Sequence, residues 1–355
     1  MATVISKPIL INGKEIKNRI LMPPLVCFNW ADDDGFQTVD RQRHYGLRAE
    51  GGTGLIIIEA AAVSKEGRLA TSQLGIWKDE HIPQFAKIAQ KCHQEGTKVI
   101  LQIVHAGMKS VGDKVLVPSP IEENNTKDNS TQYIPMTLED IEKVKEDFIN
   151  GAIRAKKAGL DGVEIHGAHS YLLNQFTSPL INKRDDLYGG SMENRFRLPL
   201  EIVSAIRIAC GQDFIIGYRF GVNDPTFVED KYLAQELEKA GVDILNVSNG
   251  IGIKNLDVPK DFPFSFITYM GVEIRKAVNI PVACVFGIRV PKEAEYLLEN
   301  DLIDMVAVGR ALLADPNWTN KAIKGEDVNL CYHCKPRCKY SVDGHTCPWF
   351  KTLNF

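Results

Sequence analysis

His166 to Tyr171 reads His-Gly-Ala-His-Ser-Tyr and begins within the last residues of the apolar run GVEIHGA, which starts at Gly162. Two imidazoles and a phenol crowded together can grip one oxygen atom through their N–H and O–H groups. The run is entered from a helical pattern that closes at Gly159, so the cluster belongs where a buried strand gives way to a loop. The same residues admit other uses. Two histidines three apart can ligate a metal, but a catalytic zinc wants a third protein ligand, for which His105 is the nearest rival, and Tyr171 can serve as a packing residue.

The elements that must position these groups recur along the whole chain as short runs rich in Val and Ile, each followed by an amphipathic stretch of helical period. Eight are found: ILMPPL from Ile20, GLIIIEA from Gly54, KVILQIV from Lys98, GVEIHGA from Gly162, FIIGYRF from Phe214, ILNVSNG from Ile244, PVACVFG from Pro281 and MVAVGR from Met305. Alternation of strand and helix signals parallel pairing. Eight units predict an α/β fold of the closed (β/α)8 TIM barrel type, in which roughly 250 residues suffice for the bare barrel. The rest supplies insertions and a short Cys-rich C-terminal extension.

Loop lengths indicate which end of that barrel works. Turns leading into strands are tight, as at Glu95-Gly96 and Ala240-Gly241, whereas the segments leaving them are long at 106–136, 170–192 and 249–263. Long loops without structure of their own are usually functional, and the face at the strand C-termini carries catalysis in such barrels. Around this rim the sequence sets Pro24 and Leu25, Ala60, Gln102 beside His105, Arg219, Ser248-Asn249-Gly250, Phe286-Gly287 and Gly309-Arg310. Taken singly, Gln102 can merely satisfy backbone and Arg219 can form a structural ion pair. Loops after the seventh and eighth strands often hold a phosphate, with Gly admitting the backbone amides to the anion. An anion-binding end, a Gln and an Arg in the middle and two His opposite suggest a phosphate-bearing cofactor lying across the mouth. The phosphate loops alone do not discriminate FMN from a sugar phosphate.

Composition is that of an ordinary globular protein: 44% hydrophobic and 25% charged residues, with a net charge of −3. There is no basic stripe for nucleic acid and no apolar run long enough for a membrane. The N-terminus MATVISKPILING lacks a basic segment followed by a long apolar core, so a cytoplasmic chain is expected. In that compartment the Asn-x-Thr sequons at Asn124 and Asn129 carry no meaning, and ENNTKDNST from Glu123 is expected to be a mobile loop tip. Oligomeric state is left open, a homo-oligomer included.

NRILMPPL at Asn18, EAAAVSKEGR at Glu59, LGIWKDEHI at Leu74, QIVHAG at Gln102, the long HGAHSYLLNQFTSPLINKRDDLYGGSMENR at His166 and VAVGRALLADP at Val306 resemble, in order, the old yellow enzyme family of FMN-dependent ene-reductases. The resemblance spans nearly the entire barrel. It implies that FMN is held by Pro24, Leu25 and Ala60 near the ring, Gln102 at the pyrimidine edge and Arg219 near N1 and the C2 oxygen. Gly287, Gly309 and Arg310 would take the phosphate. A cation at N1 has a physical purpose, because reduced flavin is negative there. The resemblance further implies that His166 and His169 bind the carbonyl oxygen of an α,β-unsaturated substrate, that reduced flavin delivers hydride to the β-carbon, and that Tyr171 protonates the α-carbon. NAD(P)H is the implied reductant, visiting the same flavin face before the enone. A phenol is suited to the proton role, since its unperturbed pKa is about 10. A related FMN barrel that oxidises an amine or demethylates is the alternative enzyme. The intact His-x-x-His pair argues against it.

The loop after the first strand departs from the family. Where some bacterial members carry a redox-tuning Cys and a substrate-facing Tyr, this chain has Val26 and Phe28 with Cys27 between them. Phe28 is expected at the substrate, and Cys27 reads as a small buried hydrophobe.

Four of the eight cysteines crowd CYHCKPRCKYSVDGHTC at spacings of two, three and eight: Cys331, Cys334, Cys338 and Cys347. This divides the chain into an FMN-binding barrel at 1–325 and a metal-binding segment at 326–355. Larger relatives resembling 2,4-dienoyl-CoA reductase hold a [4Fe-4S] cluster with such a set, and four cysteine thiolates suit that cluster. The last spacer is shorter here, and the chain ends at Phe355 where those relatives continue into FAD and pyridine-nucleotide domains. Zinc is the rival, with His333 and His345 nearby. If the cluster is present, an external electron carrier could reduce the flavin through it, and a non-catalytic flavin and iron-sulfur electron carrier is the reading outside catalysis.

Overall fold

The computed structural model describes residues 3–121, 131–253 and 256–352, and the two sequons with the polar stretch from Glu123 fall outside them in whole or part. Eight parallel strands close into a barrel in the order of the chain, as the eight apolar runs predict. They are β1 (Ile20–Met22), β2 (Leu55–Ala62), β3 (Lys98–Val104), β4 (Gly162–Gly167), β5 (Ile215–Val222), β6 (Ile244–Asn249), β7 (Val282–Val285) and β8 (Met305–Ala307). Helices cover the outside, the longest over Leu138–Lys157, where Thr137 and Asp140 form a capping box that satisfies two orphan N–H groups.

Strand alternation explains where the chemistry ends up. Odd and even residues of a strand face opposite sides, so Val163 and Ile165 pack outward under the helices, as do Leu101, Tyr218 and Val247. The inward set is apolar at the bottom, where Leu55, Ile100, Ile215, Ile244 and Met305 fill the barrel. One or two inward positions higher the same strands turn polar: Gln102 on β3, Glu164 and His166 on β4, Arg219 on β5, Asn246 and Ser248 on β6. Ile11 and Ile16, from an antiparallel hairpin ahead of the barrel, join the lower layer and close that end. Only the upper mouth is left for a site.

The long loops leaving the strands are not structureless, in contrast to the expectation from their length. Lys114–Val117 pairs in parallel with Gln132–Pro135, and Leu172–Thr177 forms a short buried helix just after the histidines. Both lie beyond the reach of periodicity, being four to six residues long.

Candidate active site

His166 is the inward residue at the end of β4, in register with Arg219 of β5. Gly167 follows, and a Cβ there would stand 2.1 Å from the Tyr218 hydroxyl oxygen, so only glycine lets the two strands close at this height. The chain then turns through His169 and Ser170, both with left-handed φ near +60°. Non-glycine residues in that region carry strain that the surroundings must hold. Here the His169 N–H donates to Asn249 O at 3.0 Å, and the Lys109 ammonium donates to His169 O at 2.7 Å. The turn aims both imidazoles and the Tyr171 ring at one point, with His166 to Tyr171 centroids 4.7 Å apart.

The hydrogen bonds fix the proton positions. Ala168 N–H donates to His166 Nδ1, leaving the proton on His166 Nε2, which faces His169 Nδ1 at 3.2 Å; His169 Nε2 is then the donor to Ser248 Oγ at 2.7 Å. Burial, then the neighbouring His169 and Arg219, hold His166 well below the ordinary histidine range. Burial, then Arg219 and Lys109, bring His169 down to about 3. Burial pushes the Tyr171 phenol up to about 12. At neutral pH the cluster is therefore two neutral imidazole donors beside a protonated phenol.

These groups line a cavity together with Pro24, Ala60 and Gln102. Ala60 reaches it through a bulge in β2, where the pairing with β3 shifts between Ile58 and Ala61, and bulges re-aim side chains in this way. A second cavity runs over the ends of β7 and β8, lined by Leu25, Gly287, Gly309 and Arg310. Pro24 and Val26 line both, so the two are halves of one groove across the mouth. Gly287 has φ +90° and open space where a Cβ would stand, leaving its backbone accessible from the groove. The Arg310 guanidinium lies over the Phe286 ring, 5.9 Å from its centroid.

Below the groove, Gln102 Nε2 donates to Glu164 at 2.6 Å and Asn246 Nδ2 donates to it at 2.8 Å. Arg219 is 5% exposed, and its Nε and Nη1 have no hydrogen-bond partner.

The first loop is held from behind. The buried Arg41–Glu59 pair meets at 2.7 Å, and Glu59 also accepts from the Cys27 N–H at 3.1 Å. Cys27 is buried, faces away from the groove, and contacts Tyr340 O at 3.1 Å while accepting from Gly344 N–H at 3.0 Å. Burial and then Glu59 push its thiol well up, so it is an inert tie to the tail. Tyr340 and Phe350 pack edge-on and tilted against Trp30, 5.5 and 5.0 Å between centroids. Cys331, Cys334, Cys338 and Cys347 line one cavity, which shares Arg310, Cys331, His333 and Cys338 with the half of the groove over the ends of β7 and β8. Among the described residues no three His, Cys, Asp or Glu side chains converge to hold a single metal ion.

Of the residues expected from sequence, His166, His169, Tyr171, Pro24, Ala60 and Gln102 meet in one half of the groove, and Pro24, Leu25, Gly287, Gly309 and Arg310 in the other. Phe28 lines neither half; its N–H is drawn to Ser341 O at 3.2 Å on the tail. Sequence reading missed Lys109, Gln73 and Leu69, of which the last two also line the histidine half. Gln73 is fixed there by donating to Ala60 O and accepting from Leu69 N. It also missed Glu164, although its place two residues before His166 puts it on the same inner face.

A family model described as NADH:flavin oxidoreductase / NADH oxidase family matches residues 5–329. The NADH oxidase of Thermoanaerobacter brockii is 40% identical over 92% of this chain, and the alignment covers 52% of that protein. The NADPH dehydrogenase of Geobacillus sp. (strain WCH70) is 37% identical over 91% of this chain and 95% of its own length. A 2-naphthoyl-CoA reductase in complex with 2-naphthoyl-CoA superposes with a TM-score of 0.82 at 27% identity, over 92% of this chain and 53% of that one. The chain thus spans about half the length of the NADH oxidase and the naphthoyl-CoA reductase.

Proposed function

Since the chain belongs to the NADH:flavin oxidoreductase / NADH oxidase family, the old yellow enzyme family that its motifs resemble, we propose that it is an FMN-dependent ene-reductase that uses NAD(P)H to reduce α,β-unsaturated carbonyl compounds. One observation carries this reading: the two neutral imidazoles and the protonated phenol converge on one end of a groove whose other end is lined by Gly287, Gly309 and Arg310. The residues present fit FMN. A buried guanidinium with unpartnered Nε and Nη1 calls for an acceptor the protein does not supply, and the open backbone at Gly287 suits close approach of a phosphate. Arg219 and Gln102 would meet the polar edge of the flavin, Pro24, Leu25 and Ala60 its ring, and Gly287, Gly309 and Arg310 its phosphate. When bound, reduced flavin supplies the hydride.

The chain's own residues supply the rest. His166 Nε2 takes the substrate carbonyl oxygen, and once their mutual contact opens His169 joins it from Nδ1–H, its Nε2 then accepting from the Ser248 hydroxyl; together they withdraw electron density from the conjugated double bond. Both are neutral, so they donate hydrogen bonds without holding a charge that the carbonyl must displace. Tyr171 keeps its proton through the physiological range and gives it to the α-carbon. Lys109, bonded to His169 O and 5.5 Å from the Tyr171 ring centroid, holds the turn in place.

For the tail we propose a division into a flavin barrel at 1–325 and a metal segment at 326–355. Four thiols around one cavity support a [4Fe-4S] cluster over zinc. The two-and-three spacing of Cys331, Cys334 and Cys338 is what favours the cluster, in which four irons seat one thiolate each. Such a cluster would supply one-electron transfer and would open the site to an external electron carrier.

Anaerobic incubation with NADPH and 2-cyclohexenone should yield cyclohexanone in proportion to the nucleotide consumed. Reduction of the flavin by an amine, with no enone product, would support the amine-oxidising alternative instead.

A further inference from the structure

We infer that Glu164 is a positioning residue of the flavin site, a carboxylate that balances the Arg219 charge without occupying its N–H donors and that sets the orientation of the Gln102 amide. The inference rests on the FMN reading above.

A buried guanidinium needs a nearby negative charge, because isolated charges are costly to desolvate. If that counter-ion accepted from Nε and Nη1, those two N–H groups would be lost to a ligand. Glu164 avoids this conflict. It is 1% exposed on the inner face of β4, two residues below His166, which is in register with Arg219. Its own register partner on β5 is Gly217, which adds no side chain at that height. Both carboxylate oxygens are engaged elsewhere, one by Gln102 Nε2 and the other by Asn246 Nδ2. Among the described residues Glu164 and Arg219 form no ion pair, and Arg219 Nε and Nη1 remain without partners. The carboxylate therefore acts on the guanidinium through space.

The same contact fixes Gln102. A carboxylate only accepts, so the amide nitrogen of Gln102 must face it. The amide oxygen is then turned from Glu164, and Gln102 lines the groove beside Ala60 and His166. That leaves it an acceptor for an N–H at the ring edge.

The sign of the effect follows from charge. Reduced flavin is anionic near Arg219, so an uncompensated guanidinium stabilises the reduced form more strongly. The test is the midpoint potential of bound FMN, followed spectroscopically in the full chain. Glu164→Gln should raise the potential above wild type, and Glu164→Asp, which keeps the charge, should stay close to wild type. Asn246→Asp sets a second carboxyl against Glu164, with which it shares one proton near neutrality; measured at alkaline pH, where that proton has left, it should lower the potential, which covers the case in which Glu164→Gln does not fold. An unshifted potential in FMN-loaded Glu164→Gln, equal shifts in the Gln and Asp variants, or an Asn246→Asp potential at or above wild type at that alkaline pH would each overturn the role of Glu164. Wild-type protein that fails to take up FMN would overturn the cofactor reading as well.

Discussion

His166, His169 and Tyr171 divide two tasks, and the burial that shifts their titration is what makes the division possible. With the phenol up at about 12 and His169 down at about 3, neither changes protonation near neutrality. The oxidative half-reaction is therefore expected to be flat from about pH 5 to about pH 10, measured by single-turnover reoxidation of reduced flavin. His169 also leaves a mark on stability. The unfolded chain takes up a proton at His169 below the ordinary histidine value of about 6.5, while the folded chain does not until about 3. Its contribution is thus fully present above pH 6.5 and lost as the pH falls through that window. Thermal melts of wild type and His169→Asn should converge toward acid pH. Tyr171→Phe should leave reduction by NAD(P)H intact and slow enone reduction on the order of 10²-fold or more. His166 and His169 were legible because their spacing sits on a readable strand. Phe28 lines neither half of the groove, and its backbone bond to Ser341, more than three hundred positions away, is a contact no local pattern carries.

At the scale of elements, the eight strands could be read because each is a continuous β-branched run bounded by helical periods, as buried parallel strands are. The connections could not. The short helix over Leu172–Thr177 and the paired segments of the 106–136 loop depend on what they pack against, and the bulge that presents Ala60 is a register shift with no composition of its own. The loop after β7 offers a test confined to backbone. At Gly287 an added Cβ meets nothing within 4 Å, so any loss in Gly287→Ala comes from its φ of +90° and the displaced amide. About 1–3 kcal/mol of strain is the usual scale, and FMN affinity is expected to weaken by about tenfold or more. Fluorescence titration of apoprotein with FMN measures it. Unchanged affinity would remove Gly287 from the phosphate seat.

Taken whole, the molecule is a barrel stoppered below by the Ile9–Ile16 hairpin, open above to one groove, and strapped on one side by a tail whose Tyr340 and Phe350 are buried in the barrel's outer core. Among the described residues no helix is long and apolar enough to cross a membrane. The groove and the four-cysteine cavity share Arg310, Cys331, His333 and Cys338. Cys334→Ser, which touches only the latter, should lower iron content while FMN stoichiometry stays at wild type, read by metal analysis and flavin absorbance together. Zinc in place of iron in anaerobically purified wild type would contradict the cluster.

The most direct test of enone reduction at the histidine pair is a single anaerobic turnover. Wild-type protein and the His166→Ala/His169→Ala variant are reduced with one equivalent of NADPH and mixed with 2-cyclohexenone while flavin absorbance is followed. The expected result is reoxidation of the wild type at a rate that rises with enone concentration, and reoxidation slower by on the order of 10²-fold in the variant with FMN still bound. A wild-type flavin that stays reduced, or a variant that matches it, would contradict the assignment.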